Sequence, residues 1–255
     1  MERDTTNIAI SLDAVGKTFS VRDKSTNTIR DSLLGLLQRS KKRKIQALEP
    51  ISFDVKKGET FGIIGRNGSG KSTLLNLILG LYPHNQGGSI VVNGKMIKLA
   101  LGMGFDKQLS GKENIYINGS ILGLTFKKID ALFPEIVKFS GLENFMDTKV
   151  KFYSKGMKSR LMFAMAVHAE SDIFLFDEFF GGVGDELFKQ KSEEMFQNAF
   201  KSKTIILVSH NLATIRDYCD RVLLLDKGKC IAMGSTEEIL NEYHNLIKNI
   251  KMKNN

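Results

Sequence analysis

The stretch Glu59–Thr73, "ETFGIIGRNGSGKST", decides the fold. An apolar run from Phe61 to Ile64 stops at Gly65, and "GRNGSGKS", Gly65–Ser72, then matches G-x-x-x-x-G-K-[ST] in full. Behind it Leu74, Leu75, Ile78 and Leu79 recur at helical spacing, with Gly80 close to the expected helix end. A buried strand therefore runs through a glycine loop into a helix. Gly65, Gly68 and Gly70 let the backbone wrap around phosphates, with Asn67 and Ser69 between them in the cradle. The N–H groups of such a loop add to the positive end of the helix. Lys71 is placed for the β- and γ-phosphates, the Ser72 hydroxyl for Mg²⁺, and Thr73 adds a further donor. A glycine-rich turn that binds nothing would leave the Lys71–Ser72 pair at the helix start unexplained.

Such a loop needs an acid on a neighbouring strand to hold the metal and a group to orient the attacking water. "IFLFDE", Ile173–Glu178, offers both: four apolar residues make a buried strand, Asp177 at its end reaches the metal, and Glu178 is placed as general base. "IILVSH" ends another buried strand at His210, where a neutral imidazole can touch the γ-phosphate or the water.

Working outward, Asn7–Val15 alternates as a strand leading to "GKTFS". A polar, basic insertion follows over about residues 21–46, with "IRDSLLGLLQRS" as a short amphipathic helix candidate. "ISFDVKKGETFGIIG" reads as two strands about the turn Lys56–Glu59, and "SIVVNGKMIKLA" as a hairpin about Asn93–Gly94. From Asp106 to Glu170 the period turns helical, so a helical block interrupts a strand-rich one. "RVLLLDKGKCIAMG" reads as a hairpin turning at Lys227–Gly228, and a Ser235/Glu238 capping box opens the final helix. The architecture is an α/β core with an inserted helical subdomain.

At 255 residues, 42% apolar and 25% charged, the composition is that of a folded globular chain. No apolar run reaches the ~18 residues that span a bilayer, and the acidic first residues, without an apolar h-region, argue against export. Cys219 and Cys230 fit neither a zinc site nor a disulfide framework. A formal charge of +9 raises the expectation of an anionic partner without choosing among nucleic acid, headgroups and phosphorylated substrates.

In this order, with "YSKGMKSR" (Tyr153–Arg160) ahead of the acidic strand, the segments resemble the ATP-binding subunits of ABC transporters over nearly the whole chain. The resemblance implies a single domain over residues 1–255: a P-loop ABC-type nucleotide-binding domain with a helical subdomain at about residues 106–170 and an antiparallel β subdomain. It implies ATP and Mg²⁺ as ligands. It also implies head-to-tail pairing of two copies, with Ser154 and Gly156 of one meeting the γ-phosphate of ATP held by the other. Glu178 is then the general base, His210 the switch histidine and Asp185 in "GVGDELF" the loop crossing the interface. Phe19 in "GKTF" takes the place of the ring that stacks on adenine, worth about 1 kcal/mol.

Three details resemble the bacterial exporters of lipid-linked envelope polysaccharides such as O-antigen, teichoic acid and capsule: "YSKGMKSRLMFA", "DEFFGGVGDELF" and "GKENIYINGSILGL". The basic insertion is closer to the O-antigen and teichoic-acid branch. That resemblance implies an integral membrane subunit as partner, a lipid-linked glycan as cargo, a place on the cytoplasmic face of the membrane, and no nucleic acid. The basic segment Ile29–Lys44 is then a candidate for anionic headgroups or a pyrophosphate, beside the plainer reading of a solvated loop. An importer or drug-exporter subunit shares every catalytic residue, and a soluble ATPase acting on nucleic acid or ribosomes also explains the charge. The chain departs from the wider family in three places. "LALGMGFDK" lacks the glutamine usual at the helical junction, and Gln108 falls several residues late. "FFGG" is bulky and flexible where small aliphatic residues are usual. No C-terminal carbohydrate-binding domain is expected after the basic tail "KNIKMKNN".

Overall fold

A computed structural model of the chain describes residues 5–22, 42–100, 104–177 and 186–253. Two sheets and a block of helices share the interior. The small antiparallel sheet has the order β2-β1-β4, from β1 (Ile8–Arg22), β2 (Lys42–Lys56) and β4 (Ser89–Val92). The large sheet has the order β5-β6-β7-β3-β8-β9. Its strands are β3 (Thr60–Gly65), β5 (Met96–Ala100), β6 (Ile173–Asp177), β7 (Thr204–Val208), β8 (Arg221–Asp226) and β9 (Lys229–Ser235). All its neighbours are parallel except β8 and β9, which form the hairpin expected about Lys227–Gly228. Both turn residues have positive φ (48° and 79°), as a two-residue hairpin of right-handed twist requires.

The unbroken apolar runs of β3, β6 and β7 reflect burial on both faces. Ile173 and Leu175 point into a core shared with the small sheet and α1 (Lys71–Ile78), where Ile10, Leu12, Phe53, Leu74 and Leu75 meet them. Phe174 and Phe176 point the other way, into a core under the remaining helices. Those are α2 (Gly111–Ile121), α3 (Phe126–Ser140), α4 (Lys155–Ala166), α5 (Glu186–Phe200), α6 (Leu212–Tyr218) and α7 (Thr236–Lys253). Helices α2 to α4 form the helical block expected over residues 106–170. It is joined to the core by stacked and edge-on rings of Phe139, Phe163 and Phe188, the last being the phenylalanine of "GDELF". Among the described residues no helix is long and apolar enough to cross a membrane.

Two expectations change. Asn93–Gly94 is not a hairpin turn, because β4 pairs with β1 whereas β5 pairs in parallel with β6. The Asn93 N–H donates to Ala9 O (2.8 Å) and its side-chain amide to Ile8 O (2.9 Å), holding the chain to the small sheet. One residue beyond Gly94, the Lys95 N–H donates to Asp172 Oδ2 (2.8 Å), delivering the chain to the large sheet. Tertiary partners on either side of the dipeptide thus override its local turn preference. Second, the stretch 21–46 is not wholly an insertion. Strand β1 runs past Val15 to Arg22, with bulges on the way, and Val21 and Arg22 pair with Arg43 and Lys42 at the start of β2. The helix expected within "IRDSLLGLLQRS" lies outside the described residues.

A cradle for phosphate at the start of α1

The buried strand β3 ends at Gly65 with φ of 149°, and a Cβ there would lie 2.1 Å from Leu225 O and 2.7 Å from Ser69 Oγ. Only glycine fits. The loop then folds on itself through the Ser69 N–H to Arg66 O (3.1 Å), with Gly68 and Gly70 in the left-handed region at φ of 77° and 109°. Gly70 is the N-cap of α1 and brings no side chain to the first-turn N–H groups, which leaves them to an anion at the mouth. Lys71 arches back over the loop, donating through Nζ to Gly65 O (2.7 Å) and Arg66 O (3.0 Å). Ser69 Oγ is buried without a hydrogen-bond partner among the described residues. A strand-loop-helix cradle that a Cβ would fill, a lysine across it and an orphaned hydroxyl fit a bound polyphosphate.

The cradle opens into a cleft of ≈ 650 Å³ that also exposes Ser72 and Thr73 to its interior. Asp177 and Val208, paired neighbours at the ends of β6 and β7, also line it, Asp177 bringing a carboxylate. A carboxylate and the Ser72 hydroxyl on one cleft are hard oxygen donors of the kind Mg²⁺ takes. Lys98 on β5 pairs with Asp177, Nζ to Oδ2 at 2.8 Å. Ile45–Ala47 of β2 and the hairpin tip Lys227–Gly228 complete its lining. That tip supports the loop directly, since the Gly228 N–H donates to Ser69 O (2.9 Å) while Gly228 O accepts from Glu49 N–H (2.7 Å). Sequence reasoning assigned none of these wall residues to the site, nor Lys98. A turn signal locates the hairpin, but no local pattern says what its tip will touch.

The remaining expected site residues are dispersed. Phe19 is not among the residues lining the cleft; it pairs across the small sheet with Ile45, which is. Its ring stands edge-on to Tyr82 (centroids 5.5 Å) with Lys17 Nζ 5.2 Å from its centre. His210 is exposed, two residues past Val208, in a turn where Ser209 Oγ accepts from the Asn211 N–H (3.1 Å) and Asn211 caps α6. Ser154 caps α4, its Oγ accepting from the Met157 N–H (3.1 Å), and among the described residues the one atom near a Cβ on Gly156 would be that Oγ at 3.8 Å. Neither is among the residues lining this chain's cleft; Ser154 and Lys155 are exposed and Gly156 is half-buried. Tyr153 anchors this segment by donating to Phe145 O (2.6 Å). Its hydroxyl also sits where a Cβ on Gly111 would fall, so the "YS" and "GKEN" motifs touch. Glu178 and Asp185 lie outside the described residues, between the end of β6 and the start of α5.

The junction between the large sheet and the helical block is held by two asparagines. Asn114, fully buried, accepts from the Asp106 N–H (2.8 Å) and donates to Asp106 O (2.9 Å), Leu109 O (3.3 Å) and Ser110 O (2.9 Å). Asn118, one turn on, donates to Asn114 O (2.9 Å), and its Oδ1 would meet a Cβ on Gly104 at 2.2 Å. Gln108 is exposed beside them and donates its backbone N–H to Asp106 Oδ1 (2.8 Å).

Comparison with known proteins agrees with this geometry. Residues 48–181 match the ABC transporter family. The teichoic acids export ATP-binding protein TagH of Lactococcus lactis is 39% identical over 96% of this chain and 52% of its own length. The O-antigen export system ATP-binding protein RfbB of Myxococcus xanthus is 42% identical over 94% and 56%. The chain thus spans about half the length of these two relatives, and 71% of the TagH of Listeria monocytogenes, which is 35% identical over 95% of it. A solved ATP-binding subunit of an ABC transporter superposes with a TM-score of 0.69 over 92% of this chain and 93% of its own, at 23% identity, a likeness of fold. On the family match and on the Listeria relative, the chain belongs to the ABC transporter family.

Proposed function

We propose that the chain is the ATP-hydrolysing subunit of a bacterial exporter of lipid-linked envelope polysaccharide, of O-antigen or teichoic-acid type. The carrying observation is that the Gly-only loop, Lys71 and the acid of β6 open on one cleft. For the cargo, support comes from relatives at 35–42% identity that are named for teichoic-acid and O-antigen export. In this reading Gly65, Asn67, Gly68, Ser69, Gly70, Lys71 and Thr73 bind the phosphates of ATP and Phe19 meets the adenine. Ser72 and Asp177 would hold Mg²⁺, which when bound supplies charge neutralisation at the phosphates. Glu178 takes the proton of the attacking water and His210 touches the γ-phosphate.

Ser154 and Gly156 serve the site of a second copy, and Asp185 crosses between the copies. The absence of Ser154 and Gly156 from the lining of the chain's own cleft favours action in trans. One domain of this kind works from the cytoplasmic face of the membrane, docked on an integral membrane subunit that carries the glycan, and nucleic acid plays no part. The test is co-purification with the membrane subunit encoded beside it, followed by ATPase assays with candidate lipid-linked glycans. Lys71→Ala should lose ATP affinity and Glu178→Gln should abolish turnover while trapping ATP-bound dimers. Stimulation by no glycan, or wild-type turnover in Glu178→Gln, would sink the cargo and the base assignment respectively.

A further inference from the structure

Lys98 has no role in any of the chemistry above, yet it grips the acid on which the metal depends. Strand β5 alternates: Ile97 and Leu99 face the core under the helices, whereas Met96 packs on the core beside α1. Lys98 shares the Met96 face, which is also the face from which Asp177 looks into the cleft. The pairing Ala100↔Asp177 and Lys98↔Leu175 puts the lysine two positions back on the adjacent strand, and its long stem covers that distance to bring Nζ 2.8 Å from Asp177 Oδ2. Both side chains are about four-fifths buried, at 18% and 21% exposure, so water screens the pair little.

A cation in that position occupies the same carboxylate that a divalent ion needs. We propose that Lys98 is a further residue of the nucleotide site, an internal cation that competes with Mg²⁺ for Asp177 and so sets how much Mg²⁺ tight nucleotide binding requires. With the metal absent, the lysine neutralises Asp177 and keeps a bare carboxylate from repelling the phosphates. With the metal present, ammonium and metal would share one carboxylate, and the repulsion between them raises the Mg²⁺ concentration needed. A neutral, isosteric side chain removes that competition, whereas arginine preserves it. This inference rests on the proposed nucleotide reading of the cleft.

The experiment is equilibrium binding of the fluorescent nucleotide TNP-ATP to the full chain, titrated with Mg²⁺ from an EDTA baseline. It is run for wild type, Lys98→Met, Lys98→Arg and the control Lys71→Ala. Lys98→Met is expected to lower the Mg²⁺ midpoint about tenfold, because a charge a few ångströms from the metal acts through a weakly screening medium. In EDTA the same variant should bind the nucleotide less tightly than wild type, and Lys98→Arg should keep both values within about twofold. An unchanged midpoint in Lys98→Met overturns the proposal, and so does a raised one, which would make the lysine a prop for Asp177 instead of a competitor. Should wild type fail to bind TNP-ATP, or Lys71→Ala bind it as well as wild type, the nucleotide reading itself falls and this inference with it.

Discussion

Two glycines with nearly the same backbone conformation separate the cost of a left-handed residue from the cost of a close approach. Gly58 has φ of 77° and a Cβ there would meet nothing within 4 Å among the described residues. Gly228 has φ of 79°, but its Cβ would lie 2.8 Å from Ala47 O and 3.1 Å from Ala47 C, both backbone atoms of a paired strand. Gly58→Ala should therefore lose about 1 kcal/mol, the left-handed penalty alone. Gly228→Ala adds about 1–3 kcal/mol for forcing the hairpin tip off β2, for a total near 3. With an unfolding entropy of ~2.1 cal/mol/K per residue, the 255 residues give ~0.5 kcal/mol/K, so the melting temperature should fall by about 2 °C and about 6 °C respectively. Moving the tip also strains the Gly228 N–H bond to Ser69 O, and losing one such bond, ~1 kcal/mol, corresponds to about fivefold weaker nucleotide binding. Gly58 sits at the opposite end of β3 and should leave binding unchanged. Thermal melts and TNP-ATP titrations of the two variants decide the matter. Equal losses of melting temperature, or unaltered affinity in Gly228→Ala, would refute the claim that the tip buttresses the loop.

Other outcomes follow from single contacts. Asn114→Ala strips the buried junction of its four hydrogen bonds and should cost about 2–4 kcal/mol, read as a lower urea midpoint. Burial pushes the Cys219 thiol far up, while Cys230 is exposed. Ellman's reagent at mild alkaline pH should therefore titrate one thiol in the native chain and both in denaturant, and rapid native reaction of both would contradict the packing. Burial also depresses His168, against a smaller upward pull from Glu135. Above the ordinary histidine pKa of 6.5 neither state binds the proton and stability is flat. Below it the unfolded chain binds first, so stability should fall from there until the folded histidine protonates. The fall should be shallower in His168→Gln, measured as urea midpoints at successive pH values.

Much of the fold was legible because it rests on local patterns. The strand-loop-helix around Gly65–Ser72, the helical block and the Lys227–Gly228 hairpin are all set by periodicity and by residues that tolerate few conformations. Asn93–Gly94 shows where that logic fails. Its turn preference is worth little beside the hydrogen bonds that hold Asn93 to β1 and Lys95 to Asp172, partners distant in sequence. The same distance hid part of the site. Lys98 reads locally as one polar residue in a strand, and becomes a partner of Asp177 only when β5 lies beside β6.

The sequence by itself determined the chemistry at the cradle, because a backbone that must wrap an anion demands glycine at Gly65 and Gly70 and a lysine at the helix start. It also determined that Asp177 ends a buried strand. Tertiary structure alone decided what surrounds that chemistry: Gly228 braced against Ser69, Ile45–Ala47 in the cleft lining, Asn114 fastening the helical block to Asp106, and Ser154 outside the lining of the chain's own cleft. The physical reason is that a loop's conformation depends on its own residues, whereas contacts between strands and turns far apart in the chain depend on the order in which the sheet assembles.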